Sequence, residues 1–161
     1  MNAENRTTTD GKPPREGFEN EGAPAPVKAN GQHEAYWILT EEERAKGFVR
    51  PVRTSYRHVG TRPKHPLRDL TDDEKSRFGN DYVKFEEYPR PTSGPIGRYW
   101  TQQQLNSGCG GVTTMSREIA ETYARDPRFY GATFCCHCGA HLRVGENGEF
   151  VWEGTDERVG T

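Results

Sequence analysis

Aliphatic residues are scarce in this chain. Leu, Ile, Val and Phe together number 24 of 161 residues, about 15%, under the roughly 20% below which chains usually fail to fold by burial alone. A large aliphatic core is therefore excluded. Long apolar runs are missing too. No stretch of about 18 apolar residues exists to cross a membrane as a helix, and the opening MNAENRTTTDGK has no apolar segment of the secretory type. The expectation is an intracellular, cytoplasmic protein without membrane contact. Charge of one sign is not in excess, since 22 Lys and Arg face 24 Asp and Glu for a net charge of -2. Catalytic signatures are also absent. There is no G-x-x-x-x-G-K-[ST], no G-x-S-x-G, no H-E-x-x-H, and no H-x-E to accompany a C-x-x-C. Glu118 and Glu121 read as helix surface rather than as a general acid. A non-enzyme is expected, with no small-molecule substrate indicated.

What the chain does have is 17 aromatic residues, 18 glycines and four cysteines. The cysteines are Cys109, Cys135, Cys136 and Cys138. Two disulfides do not suit them, because Cys135 and Cys136 are adjacent and Cys136 to Cys138 is too tight a loop for bridging geometry. Without an export signal, a reducing compartment would also keep these thiols free. Cys135-x-x-Cys138-Gly139 places two thiolates where one tight turn can offer both to a tetrahedral ion, and the glycine lets the backbone fold beneath it. A thioredoxin-type C-x-x-C would open a helix in a βαβ setting. Here a glycine and a strand-like run follow.

The segment CCHCGAHLRV resembles the second half of a zinc-ribbon knuckle. The resemblance covers residues 135–152 and implies a structural zinc. A full ribbon would supply a second C-x-x-C, and this chain offers only Cys109, set in Ser107-Gly108-Cys109-Gly110-Gly111. Cys109, Cys135 and Cys138 are thus three expected zinc ligands. His141, three residues after Cys138, is the local choice for the fourth. His58 is its rival, and becomes adjacent to Cys109 if residues 60–107 loop out. Cys136 and His137 are expected to point outward from the turn. Metal binding would compensate for the thin core, since it can supply folding free energy on the order of 10 kcal/mol.

Elsewhere the signals are local. Residues 1–34 carry four prolines and show no hydrophobic period, which predicts a disordered arm. Thr40 with Glu43, Thr71 with Glu74, and Thr101 with Gln104 each read as a capping box opening a short helix, closed by Gly47, Gly79 and Gly108. Ser116 caps the best helix, about 117–125, stopped before Pro127. Residues 48–59 (FVRPVRTSYRHV) read as an edge or broken strand, and residues 60–98 as a polar, proline-rich excursion. Residues 141–152 read as a hairpin turned at Gly145-Glu146-Asn147-Gly148, and the last residues are expected to fray. Tyr36-Trp37 and Tyr99-Trp100 are expected in the core. The fold class expected is a small zinc-stabilised α+β domain over about 35–155. It would have one hairpin, one main helix and several helical turns.

From Arg44 to Arg68 there are eight basic residues and no acid. Arg50, Arg53, Arg57, Arg62 and Lys64 are the candidates for contacting phosphates, with Phe48 and Tyr56 interleaved for stacking. Acids follow at Asp69, Asp72, Asp73 and Glu74 and could neutralise them. Two functions follow as expectations. One is a zinc-finger-like binder of nucleic acid through 44–68. The other is a zinc-stabilised structural or adaptor protein that assembles with protein partners, as in a multisubunit or virion particle.

Overall fold

A computed structural model describes residues 5–61, 66–87, 99–101, 105 and 108–161. Its short helices begin where hydroxyl side chains can receive an unpaired backbone amide. Thr40 accepts from the Glu43 amide and opens α1 (Glu41–Arg44). Thr71 and Glu74 cap each other's backbone at the start of α2 (Asp72–Phe78), and Gly79 ends it at a φ of 95°. Ser116 accepts from the Ile119 amide and opens α3 (Arg117–Arg125). The third proposed box, Thr101 with Gln104, falls partly outside the described residues.

The strands form small antiparallel sheets. β1 (Arg6–Thr8) pairs with β2 (Trp37–Leu39). β3 (Ser55–His58) is the centre of a three-stranded sheet, flanked by β7 (Val112–Thr114) and β10 (Phe150–Trp152). β4 (Leu67–Asp69), β5 (Tyr82–Phe85) and β6 (Tyr99–Thr101) form a second three-stranded sheet. β8 (Ala132–Cys135) and β9 (Ala140–Arg143) form a two-stranded ribbon. The chain is therefore mixed α+β, and no described helix is long and apolar enough to cross a membrane.

Aromatic rings do the work that aliphatic side chains do elsewhere. Tyr56, Tyr123, Phe150 and Trp152 share one buried cluster with Cys135, Val144 and Val159. Tyr56 meets Phe150 and Trp152 edge-on at ring separations of 5.3 and 6.4 Å, and Tyr123 meets Trp152 at 5.6 Å. Such edge-to-face contacts add to the area each ring buries. Trp37 and Trp100 are buried as well. Helix α3 docks on β2 through Thr122, whose hydroxyl accepts from the Leu39 amide at 3.2 Å and donates to Glu118 O at 2.8 Å.

Four expectations are corrected. The segment read as a disordered arm is folded from Asn5 onward. Its β1 pairs with β2, Ala25 is fully buried, and the Arg6 guanidinium lies 3.9 Å over the Trp37 ring. Small side chains, backbone bonds and one cation–π contact hold it, none of which raises hydrophobicity. Residues 141–152 do turn at 145–148, with the Gly148 amide donating to Gly145 O. The flanking strands then part, because β9 pairs with β8 and β10 with β3. Residues 55–58 are accordingly a central strand rather than an edge, and Pro51 lies before it. Finally, the C-terminus does not fray, since Val159 is fully buried and exchanges backbone bonds with Phe150 and Gly145.

Candidate metal centre

Three separate parts of the chain converge on one point. His58 is the last residue of β3. The pairing of β3 with β7 runs on beyond the strands, with the His58 amide donating to Gly111 O at 3.1 Å and the Gly110 amide to His58 O at 2.8 Å. That register brings Cys109 alongside His58. The glycines around Cys109 are needed for it. Gly110 has a φ of 74°, and a β-carbon on Gly108 would overlap the Val59 backbone. Cys135 ends β8, and Cys138 lies in the turn that returns to β9. Gly139 closes that turn at a φ of 66°, its amide donating to Cys135 O at 2.8 Å.

The ligand atoms of His58, Cys109, Cys135 and Cys138 all lie within 4.8 Å of one another. Cys109 Sγ is 3.6 Å from Cys135 Sγ, and Cys138 Sγ is 3.5 Å from His58 Nδ1. A tetrahedron with sulfur bonds of about 2.3 Å and nitrogen bonds of about 2.0 Å has edges of roughly 3.5–3.8 Å. These two separations fall there. A disulfide would need its sulfurs at about 2.05 Å, and all four cysteines are free thiols.

His58 is itself fixed. Its Nε2 lies 3.0 Å from Glu149 Oε1, and a carboxylate can only accept, so the hydrogen sits on Nε2. Nδ1 lies on the thiol side, 3.5 Å from Cys138 Sγ and 3.3 Å from the Cys109 amide. The side chain is 1% exposed, so the ring cannot swing away. This carboxylate–imidazole pair is the usual means of orienting a metal-binding histidine and raising its basicity.

The thiols constrain one another. Partial burial pushes the Cys109 thiol up. The Gly111 amide, donating to its sulfur at 3.4 Å, and contacts with His58, Cys135 and Cys138 outweigh that and leave it more acidic than a free cysteine. Cys138 is shifted the opposite way, by burial first and then by the neighbouring Cys135 and Cys109. Three thiols this close cannot all ionise beside one another unless a cation neutralises them. The cluster can thus hold a metal ion, and a thiol-rich site loses affinity as acid reprotonates its sulfurs.

Of the expected ligands, Cys109, Cys135 and Cys138 are brought together, and the fourth member is His58. His141 is not in this cluster. Its Nε2 is 2.9 Å from the Tyr36 hydroxyl and its ring packs against His33 and Phe134. The reason is the antiparallel register, which sets His141 opposite Phe134 on β8 rather than beside Cys138. Cys136 turns to β7, its amide donating to Thr113 Oγ1 at 3.0 Å and its sulfur accepting from the same hydroxyl. Glu149 was not among the residues singled out from the sequence. No local pattern marks it, because it lies 91 residues from His58.

Among the described residues, most of the basic stretch is paired with carboxylates within the fold. Arg44 pairs with Glu121 at 2.6 Å, Lys46 with Glu43 at 2.7 Å, and Arg68 with Glu74 at 2.8 Å. Arg57 makes two bonds to Glu153, at 2.8 and 3.0 Å. Arg53 pairs with Glu157 and stacks over Trp152. Arg50 donates to the carbonyls of Val49 and Thr161. Arg62 and Lys64 lie outside the described residues. Compared with known proteins, the chain matches no protein-family model, no curated protein and no solved structure.

Proposed function

We propose that the chain is a non-enzymatic, zinc-stabilised interaction protein whose folded surface engages a protein partner. One zinc, held by His58, Cys109, Cys135 and Cys138, fixes the fold. The donor set carries this reading. Three thiolates and one imidazole fill all four positions of tetrahedral zinc and leave none for water or substrate. Sulfur-rich donor sets also favour zinc over magnesium or calcium, which take oxygen ligands. Elemental analysis of freshly isolated protein tests it, with about one zinc per chain expected. Folded protein without zinc would overturn it.

Glu149 gives a finer test of the same site. Glu149→Ala is expected to lower zinc affinity by about 10- to 100-fold in competition with a chromophoric chelator, because His58 loses the group that orients it. Glu149→Gln keeps an acceptor oxygen and is expected to fall between the two. Equal affinity in all three proteins would remove Glu149 from the account.

A protein partner is preferred to nucleic acid because four of the five described arginines of this stretch, Arg44, Arg53, Arg57 and Arg68, already have carboxylates. A phosphate backbone would have to displace Glu153 from Arg57 and Glu157 from Arg53. No binding to labelled duplex DNA or single-stranded RNA is therefore expected at low salt. Nucleic-acid binding would instead show a log–log salt slope of about 0.9 per contacted duplex phosphate, reduced when Arg50, Arg53 and Arg57 are changed together to Gln. That result would establish the nucleic-acid function in place of the adaptor one.

A further inference from the structure

The N-terminal segment is fastened to the β8–β9 ribbon at one small cluster. Gly31, at a φ of 93°, lies so close to the ribbon that a β-carbon would overlap the Gly139 carbonyl and press on the Phe134 ring. Nearby, the Tyr36 hydroxyl is 2.9 Å from His141 Nε2. The His33 ring packs on the His141 ring with centroids 4.7 Å apart, and Phe134 lies 5.3 Å from it. His33 is itself held, its Nδ1 donating to Ala25 O at 2.6 Å.

The partners decide where the hydrogens sit. The Tyr36 oxygen accepts from the His33 amide at 3.1 Å. Burial raises this hydroxyl above the ordinary tyrosine range, so it keeps its hydrogen. Among the described residues, His141 Nε2 is the one group placed to accept that hydrogen. A second proton on the imidazole would turn this acceptor into a donor and set two hydrogens face to face. It would also place a charge on a partly buried ring, which costs hydration. The surroundings offer little relief. His33 and Tyr36 face the ring from the N-terminal segment, and Arg6, Tyr130 and one acid, Glu21, line the cavity that the three rings share. On the ribbon, Phe134 is its cross-strand partner, Cys135 stands opposite Ala140, and Arg143 follows on β9 itself. Burial first, and then His33, hold His141 below the ordinary histidine value of 6.5.

We propose that the Tyr36–His141 hydrogen bond is an acid-sensitive latch, which holds the N-terminal segment on the ribbon while His141 is neutral and releases it when the ring takes up a proton. In the open form the ring returns to its ordinary value. The advantage of the closed form is therefore complete above pH 6.5 and falls away as pH drops from there toward the lower closed-state value. Histidine is the side chain whose charge changes in this range. Opening uncovers the Phe134 ring and the Gly139 carbonyl, so acid presents a new face beside Cys138. The latch needs no metal and stands apart from the choice of partner.

The test is amide hydrogen exchange of the purified full chain, read by NMR between about pH 7.5 and pH 5. His141→Gln is the comparison, because glutamine keeps an acceptor oxygen for Tyr36 and cannot titrate. The reporters are the His33 and Glu34 amides, bonded to the Tyr36 hydroxyl and to Pro26 O. Their neighbours in sequence are the same in both proteins, so the ratio of rates at each pH cancels the intrinsic pH dependence. The ratio of parent to variant is expected to rise roughly threefold or more as pH falls, and by no more than about tenfold per pH unit, the limit for one proton. The Gly110 amide, bonded to His58 O in the candidate metal centre, is expected to keep the same ratio throughout. Flat ratios at His33 and Glu34 would overturn the proposal. A rise shared by Gly110 would show loss of the whole fold rather than of the latch, and would overturn it too. If His141→Gln does not fold, the parent protein decides alone. Its His141 ring must then titrate below 6.5, and exchange at His33 and Glu34 relative to Gly110 must rise over the same range. A ring that titrates at or above 6.5 would overturn the latch.

Discussion

Cys135→Ser and His58→Ala are each expected to release the zinc and unfold the protein around it, whereas His141→Ala is expected to retain about one zinc per chain. The size of the effect follows from the core. Cys135 is fully buried in the aromatic cluster with Tyr56, Phe150 and Trp152, so a metal held by it would be bonded directly to the core. A structural zinc can contribute on the order of 10 kcal/mol to folding, and a domain of this size has a net stability of about 5–15 kcal/mol. Loss of one ligand therefore approaches the whole margin. His58→Ala additionally removes the imidazole that faces the mostly buried Glu149 carboxylate. His141 makes ring contacts and one hydrogen bond to Tyr36, so its removal costs local packing alone. Zinc content by elemental analysis and tryptophan fluorescence on heating check all three. A folded Cys135→Ser protein with an unchanged midpoint, or loss of zinc from His141→Ala, would sink the ligand assignment.

Removing residues 1–34 is expected to lower the thermal midpoint by roughly 5–15 °C, from a loss of about 2–4 kcal/mol. The segment covers Trp37, which is 8% exposed. The Trp37 indole N–H donates to Glu21 O at 3.0 Å, and β1 supplies the only described strand partner of β2. Truncation would expose the ring, orphan its N–H and leave β2 unpaired. The segment also rests on the turn that carries Cys138 and Gly139. A β-carbon on Gly31 would overlap the Gly139 carbonyl, so the two backbones touch. Differential scanning calorimetry of the zinc-loaded truncated protein reads the effect. An unchanged midpoint would restore the expectation drawn from composition.

The parts legible in the sequence are those decided within a few residues. Thr40, Thr71 and Ser116 cap helices because the amide each receives is three positions away. Cys135 and Cys138 meet because one turn joins them. The choice between His58 and His141 was not decided locally. It depends on β3 pairing with β7 and on β9 pairing with β8, and strand register is a long-range property. The same holds for 141–152, where the turn residues specify a reversal but not which strands the two arms will join. The arm was misjudged for a different reason. Hydrophobicity does not register proline and alanine packed tightly, or an arginine over an indole. Glu149 carried no signal at all until its histidine was placed.

The spacing of the four ligands has a consequence for how the chain tolerates change. His58 and Cys109 are 51 residues apart, Cys109 and Cys135 are 26 apart, and His58 and Cys138 are 80 apart. An ion held by these four residues would be a staple across long loops, and the entropy of closing a flexible loop grows only with the logarithm of its length. Doubling the stretch between His58 and Cys109, which carries β4, α2, β5 and β6, would cost about 0.6 kcal/mol in closure entropy. That stretch can therefore lengthen, shorten or exchange its contents while the staple and the β3–β7 pairing keep its two ends in place. The same arithmetic delays the site during synthesis, because no ion can be fully enclosed until Cys138 has joined a histidine made 80 residues earlier.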